Sequence, residues 1–153
     1  MEQLNINNIL DRSNCVEKLK NFLVYFEANK NNLSTRRGVY VYGAPGTGKT
    51  YFVKDILREL NYDIIHYDAG DIRNKTVISD LTKYNMSDKN ILSMFNKKTE
   101  YKKIAIVMDE IDGMNSGDKG GINSLIKLIR PKKTKKQKKE DITMIPIICI
   151  SNF

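Results

Sequence analysis

The sequence predicts an α/β fold: a parallel sheet of about four or five strands, flanked by helices on both faces. Three observations carry this. Short runs that are apolar at consecutive positions, such as Ile104 to Met108 and Met144 to Ile150, read as strands buried on both faces. Segments with apolar residues at helical spacing alternate with these strands. Gly43-Ala44-Pro45-Gly46-Thr47-Gly48-Lys49-Thr50 fits G-x-x-x-x-G-K-[ST] at every fixed position, between a predicted strand and a predicted helix.

The elements follow in order. Asn14 to Asn29 carries Val16, Leu19, Phe22, Leu23 and Phe26 at amphipathic spacing, with Ser13 or Asn14 as the expected cap. Asn29 to Arg37 is polar and reads as a loop. Val39 to Tyr42 is a β-branched and aromatic strand ending at glycine. Thr50 to Leu60 is predicted helical. Tyr62 to Tyr67 is a second strand, closed by Asp68-Ala69-Gly70. Val77 to Tyr84 and Ile91 to Phe95 read as short helices. Ile104 to Met108 is the third strand, and Ile122 to Ile129 is a helix by its Ile122, Leu125, Ile126 and Ile129 spacing. Met144 to Ile150 is the last strand.

Composition narrows the function classes. At 153 residues the chain has the length of one domain, and its 41% apolar content suits a buried core. Its apolar runs fall far short of the about 20 residues a membrane span needs. The amino-terminal residues lack the pattern of a secretory signal, so an intracellular protein is expected. Cys15 and Cys149 do not suggest a disulfide scaffold, and Cys149, within an apolar run, is expected to be a small buried hydrophobe. With His66 as the only histidine, a zinc site lacks ligands. The net charge of +8 is mostly local: Arg130 to Glu140 alone contributes +6.

The glycine-rich motif has a chemical reason for each residue type. Glycines let successive backbone N–H groups turn inward and cradle anionic oxygens. The helix that starts there adds positive potential at its N-terminus. Lys49 is expected to reach the β- and γ-phosphates of ATP, and the Thr50 hydroxyl to coordinate Mg2+. Gly43 to Thr50 are therefore nucleotide-binding candidates. Tyr51 joins them as a flanking aromatic, with packing in the core as its other reading.

The third strand ends in Asp109-Glu110. Two carboxylates at the tip of a buried strand need partners. Asp109 is expected to hold Mg2+ with Thr50, and Glu110 to orient and deprotonate a water. Asp112 reads either as a further site residue or as a cap for the next turn.

Together these segments resemble the AAA+ ATPases, with the Walker A motif at Gly43 to Thr50 and Walker B at Ile104 to Glu110. Within that family, Met108-Asp109-Glu110-Ile111-Asp112-Gly113-Met114, Gly120-Gly121-Ile122, Leu125-Ile126, Ile145-Pro146-Ile147-Ile148-Cys149 and Asn152 look like the large subunits of replication factor C, the clamp loaders of DNA replication. Asp68 to Lys75 is similar to their segment after the second strand. The resemblance covers residues 14 to 153. It implies that Asn152 is sensor 1, a residue that places the attacking water and reads the γ-phosphate. It also implies ATP and Mg2+ as ligands, and other clamp-loader subunits, a sliding clamp and primed or double-stranded DNA as partners. The nucleus or another site of replication follows as the place of action.

The resemblance also sets expectations about what is not here. Residues 1–153 correspond to an AAA+ core that ends just after sensor 1, with the fifth strand, helical lid and collar absent. Family topology puts the fifth strand beside Val39 to Tyr42, leaving that edge open. Clamp loaders hydrolyse ATP at subunit interfaces, where a neighbour's arginine finger is worth ~10³ to 10⁵ in rate. Slow hydrolysis by the isolated chain is expected. The rival readings are a different AAA+ remodelling motor and a lid-less assembly factor that binds ATP with little hydrolysis. Finally, residues 130–141 form a basic insertion where the family has a short link. It reads as a solvated charged loop, a contact for DNA phosphates, or an import signal. Asp71 and Arg73 read as a structural pair.

Overall fold

The computed structural model describes residues 11–68, 103–116, 119–140 and 142–152, without the side chains of residues 114–121. The expected helices at 77–84 and 91–95, and Asp71, Arg73, Tyr84 and Phe95, lie outside these residues. The described elements are α1 (Ser13–Asn29), β1 (Gly38–Gly43), α2 (Lys49–Glu59), β2 (Tyr62–Tyr67), β3 (Lys103–Met108), a 3-10 turn (Ile111–Ser116), α3 (Lys119–Ile129), a second 3-10 turn (Gln137–Lys139) and β4 (Ile147–Asn152).

The four strands are parallel, in the order β1-β4-β3-β2. Alternating side chains divide the core between two faces, as strand periodicity demands. On one face Ala105, Val107, Ile148 and Ile150 pack with Leu19 and Leu23 of α1 and with Phe52, Val53, Ile56 and Leu57 of α2. On the other, Ile106, Met108, Ile147 and Cys149 pack with Leu125 and Leu128 of α3. Full burial of such side chains is worth about 1.5–3 kcal/mol each. Two-sided burial is why β3 and β4 read as unbroken apolar runs. Among the described residues β1 is the edge strand beside β4, with Tyr40 and Tyr42 stacked and exposed (ring centroids 5.6 Å apart). No helix among the described residues is long and apolar enough to cross a membrane.

The structure departs from the sequence expectations at four places. First, neither Ser13 nor Asn14 caps α1: Arg12 occupies the N-cap without a side-chain cap, because its carbonyl accepts the Val16 N–H at 2.9 Å and Ser13 is already helical. Second, β4 begins at Ile147 rather than Met144. Pro146 has no N–H for the ladder, and the Ile145 N–H is taken by Thr143 Oγ1 at 3.0 Å. Third, the polar segment after α1 is a loop, as expected, but polarity there does not mean exposure. Arg37 is 0% exposed, donating to the Thr143 carbonyl at 2.6 Å and the Asn32 carbonyl at 2.9 Å. Burial lowers the pKa of its guanidinium. Fourth, the basic insertion is folded at its base. Lys132 is fully buried, with its ammonium on the Lys127 carbonyl and 3.0 Å from Glu140 Oε2.

Candidate active site: a cleft at the strand ends

Parallel strands bring the C-terminal ends of β1, β3 and β4 to one edge of the sheet, and the candidate residues gather there. Gly43 closes β1, and Lys49 opens α2. Between them, Gly46 and Gly48 adopt φ of 74° and 75°. That left-handed backbone is strained for other residues and free for glycine. An open cleft of about 410 Å³ is lined by Pro45, Gly46, Gly48, Lys49, Thr50, Asp109, Glu110 and Asn152. Eight residues from three separate segments thus face one volume, all of them expected from the sequence.

The polar contacts are specific. The Lys49 ammonium donates to the carbonyls of Gly43 and Ala44, both at 2.9 Å, and to Asn152 Oδ1 at 2.8 Å. An ammonium has three N–H donors, so these acceptors account for all of them. The Thr50 hydroxyl donates to Asp109 Oδ2 at 2.6 Å. Hydroxyl and carboxylate oxygens are the hard donors that Mg2+ takes, usually with one or two carboxylates beside phosphate oxygens and waters. The residues therefore fit that ion. Glu110 is exposed and carries φ of 53°. A non-glycine residue there costs of order 1–3 kcal/mol, a strain that concentrates at functional sites. Two hydrogen bonds hold the conformation: the Glu110 N–H donates to Asp109 Oδ1 at 3.0 Å, and the Gly113 N–H to the Glu110 carbonyl at 3.0 Å.

A family model for the ATPase family associated with various cellular activities (AAA) matches residues 39–152, the span that builds this cleft. The chain belongs to the AAA family. Nucleotide binding is the activity this membership implies. Replication factor C subunit 1 of Saccharomyces cerevisiae is 32% identical over 144 residues, covering 85% of this chain and 17% of that protein. The replication factor C large subunit of Methanococcus vannielii is 32% identical over 114 residues, covering 74% of this chain and 22% of that protein. The human subunit 1 is 30% identical over 129 residues, covering 82% and 10%. This AAA chain therefore spans between a tenth and a quarter of the length of these three relatives.

Of the sequence candidates, Gly43, Ala44, Thr47 and Tyr51 do not line the cleft; the first three belong to the loop that does, whereas Tyr51 lies on α2. It is 57% exposed and neither lines the cleft nor enters the core. Lys49 and Thr50, just before it, already face the cleft, and at 100° per residue the next position on a helix points elsewhere.

Three contacting residues were not expected from sequence. Arg12, just before α1, donates to the Thr47 carbonyl of the glycine-rich loop, and its guanidinium lies over the Phe52 ring, 5.9 Å from the centroid. His66 of β2 lies 3.4 Å from Asp109 Oδ2 through Nε2. Asp112 does not simply cap its own turn. Its Oδ1 accepts the Asn152 N–H at 3.1 Å, tying the turn after β3 to the end of β4. This backbone hydrogen bond, first among its causes, holds the Asp112 carboxyl below its usual pKa.

Proposed function

We propose that this chain is the ATP-binding and ATP-hydrolysing core of a clamp-loader large subunit, coupling ATP to the loading of a sliding clamp on DNA during replication. The observation that carries the reading is the convergence of Lys49, Thr50, Asp109, Glu110 and Asn152 on one cleft. The AAA match and the replication factor C relatives support the direction.

The loop from Gly43 to Thr50 holds the phosphates. A phosphate oxygen competes with Asn152 Oδ1 for a Lys49 N–H, so binding exchanges a neutral acceptor for an anionic one, and charge-assisted hydrogen bonds are the stronger. Thr50 and Asp109 hold Mg2+, which offsets phosphate charge. Glu110 orients a water and takes its proton. Asn152, released from Lys49, holds the water and the γ-phosphate. The Asp112 tie fixes the Asn152 backbone, which makes Asp112 a positioning residue.

Other clamp-loader subunits, a clamp and primed DNA are the proposed partners, at the site of replication. ATP favours the arrangement that grips clamp and DNA, and hydrolysis lets it relax. The test is turnover of the reconstituted complex, with clamp and primed DNA, carrying Glu110→Gln. The proposal predicts retained nucleotide binding with turnover reduced ~10²-fold or more. Unchanged turnover would remove Glu110 from the chemistry.

A further inference from the structure

The segment between α3 and β4 is built. Glu140 accepts from Arg130, with Nε 3.2 Å from Oε2, and from the buried Lys132 at 3.0 Å. The Lys132 N–H donates to the Leu33 carbonyl at 2.8 Å, anchoring the segment to the loop after α1. Further out, Gln137 Oε1 accepts the N–H groups of Lys133 at 3.0 Å and Thr134 at 3.1 Å. Thr134 Oγ1 in turn accepts the Gln137 N–H at 3.2 Å. These reciprocal bonds fold the chain into a turn that closes with the 3-10 segment Gln137–Lys139.

The charges divide into two groups. Arg130 and Lys132 share the single carboxylate of Glu140 at the base. Lys133, Lys135, Lys136, Lys138 and Lys139 are exposed on the turn, and none has an ion-pair partner among the described residues. Five like charges within seven residues repel one another.

We propose that this turn is a docking surface for the phosphate backbone of double-stranded nucleic acid. Point-charge ammonium groups suit phosphates, and the exposed part of the turn has no arginine fork for planar, bidentate recognition. The segment from Arg130 to Glu140 contains no aromatic to stack an unpaired base. It contains no large apolar side chain to insert into a membrane interface. The folded turn places its cations in advance, which lowers the ordering cost of binding. The surface is separate from the nucleotide cleft. It precedes β4, whose far end carries Asn152, and a six-residue strand spans roughly 20 Å.

The test is fluorescence anisotropy of the full chain with a labelled 20-base-pair DNA of mixed sequence, across 50 to 200 mM KCl. About five phosphate contacts predict a log affinity against log salt slope of about −4 to −5. The variant Lys135→Ala, Lys136→Ala, Lys138→Ala, Lys139→Ala is expected to flatten the slope by about 3 to 4, with the thermal melt and Mg-ATP binding retained. The single variant Lys136→Gln, a minimal change, should flatten it by about 1. These titrations are made without nucleotide, so failure of the nucleotide reading and failure of this one are distinguishable. An unchanged slope in both lysine variants would overturn the proposal. So would binding to phosphatidylserine vesicles with none to the duplex, which would assign the surface to membranes.

Discussion

The Lys49 ammonium donates to Asn152 Oδ1 at 2.8 Å, joining the first turn of α2 to the last residue of β4 across 103 positions of sequence. Parallel pairing makes this meeting possible. The register that aligns Gly38 with Ile147 also aligns Gly43 with Asn152, so the glycine-rich loop and the amide leave the sheet side by side. In the proposed mechanism a phosphate displaces Asn152 from Lys49. Asn152→Ala is expected to lower kcat by ~10² to 10³ while moving KM much less, as removal of one polar group acting on the reacting atoms does elsewhere. Steady-state turnover in the assembled complex checks this, and an unchanged kcat would restrict Asn152 to a structural role.

The 2.6 Å contact between the Thr50 hydroxyl and Asp109 Oδ2 predicts a magnesium phenotype separate from nucleotide affinity. Asp109→Asn and Thr50→Val should each raise the magnesium concentration needed for half-maximal nucleotide binding, by ~10- to 100-fold for the carboxylate. Metal-free nucleotide binding should change little. A magnesium titration followed with a fluorescent ATP analogue reads both.

Glu140 holds the base of the basic turn, and its carboxyl sits below the usual range because Arg130, then Lys132, donate hydrogen bonds to it. A carboxyl with a lowered folded pKa stabilises the protein above its unfolded value, about 4.3, and loses that contribution as pH falls through the folded value. Glu140→Gln should therefore melt earlier than the parent at pH 7, where it also leaves the buried Lys132 without a counter-charge. The gap should close below about pH 4. Melts at pH 7 and pH 3 test the sign. A gap that widened in acid would contradict it.

The two cysteines should differ sharply. Cys15 is exposed, whereas Cys149 is buried in β4 with its thiol pKa pushed up to about 12 by desolvation. The thiolate is the reactive form, so Cys149 stays inert in the native protein. A thiol reagent at pH 8 should label Cys15 alone, and both cysteines after denaturation. Rapid native labelling of Cys149 would mean that β4 opens.

Much of the fold and most of the cleft were legible in the sequence. β3 and β4 announced themselves because both faces are covered, so their apolar runs are unbroken. The glycine-rich loop did so because backbone geometry and phosphate chemistry fix its spacing. Asp109 and Glu110 stood out as charges at the tip of a buried strand. What could not be read was made by distant pairing. The Arg12 contact to Thr47 spans 35 residues, that of His66 to Asp109 spans 43, and that of Arg37 to Thr143 spans 106. No local pattern records such contacts. The start of β4 was misjudged because Ile145 is apolar yet committed to a turn by Thr143. Lys132 read as one of many solvated lysines because only the folded chain brings Glu140 and the Lys127 carbonyl to it.

The most direct test of the central claim is isothermal calorimetry of the purified chain with Mg-ATP, beside Lys49→Ala. Lys49 lines the cleft and has no place in either hydrophobic core, so its removal should spare the fold. Saturable binding by the parent chain and its loss in the variant, with an unchanged melt, are expected. Equal binding by the two proteins would place the nucleotide somewhere other than the cleft of Lys49, Thr50, Asp109, Glu110 and Asn152 and would overturn the proposed site.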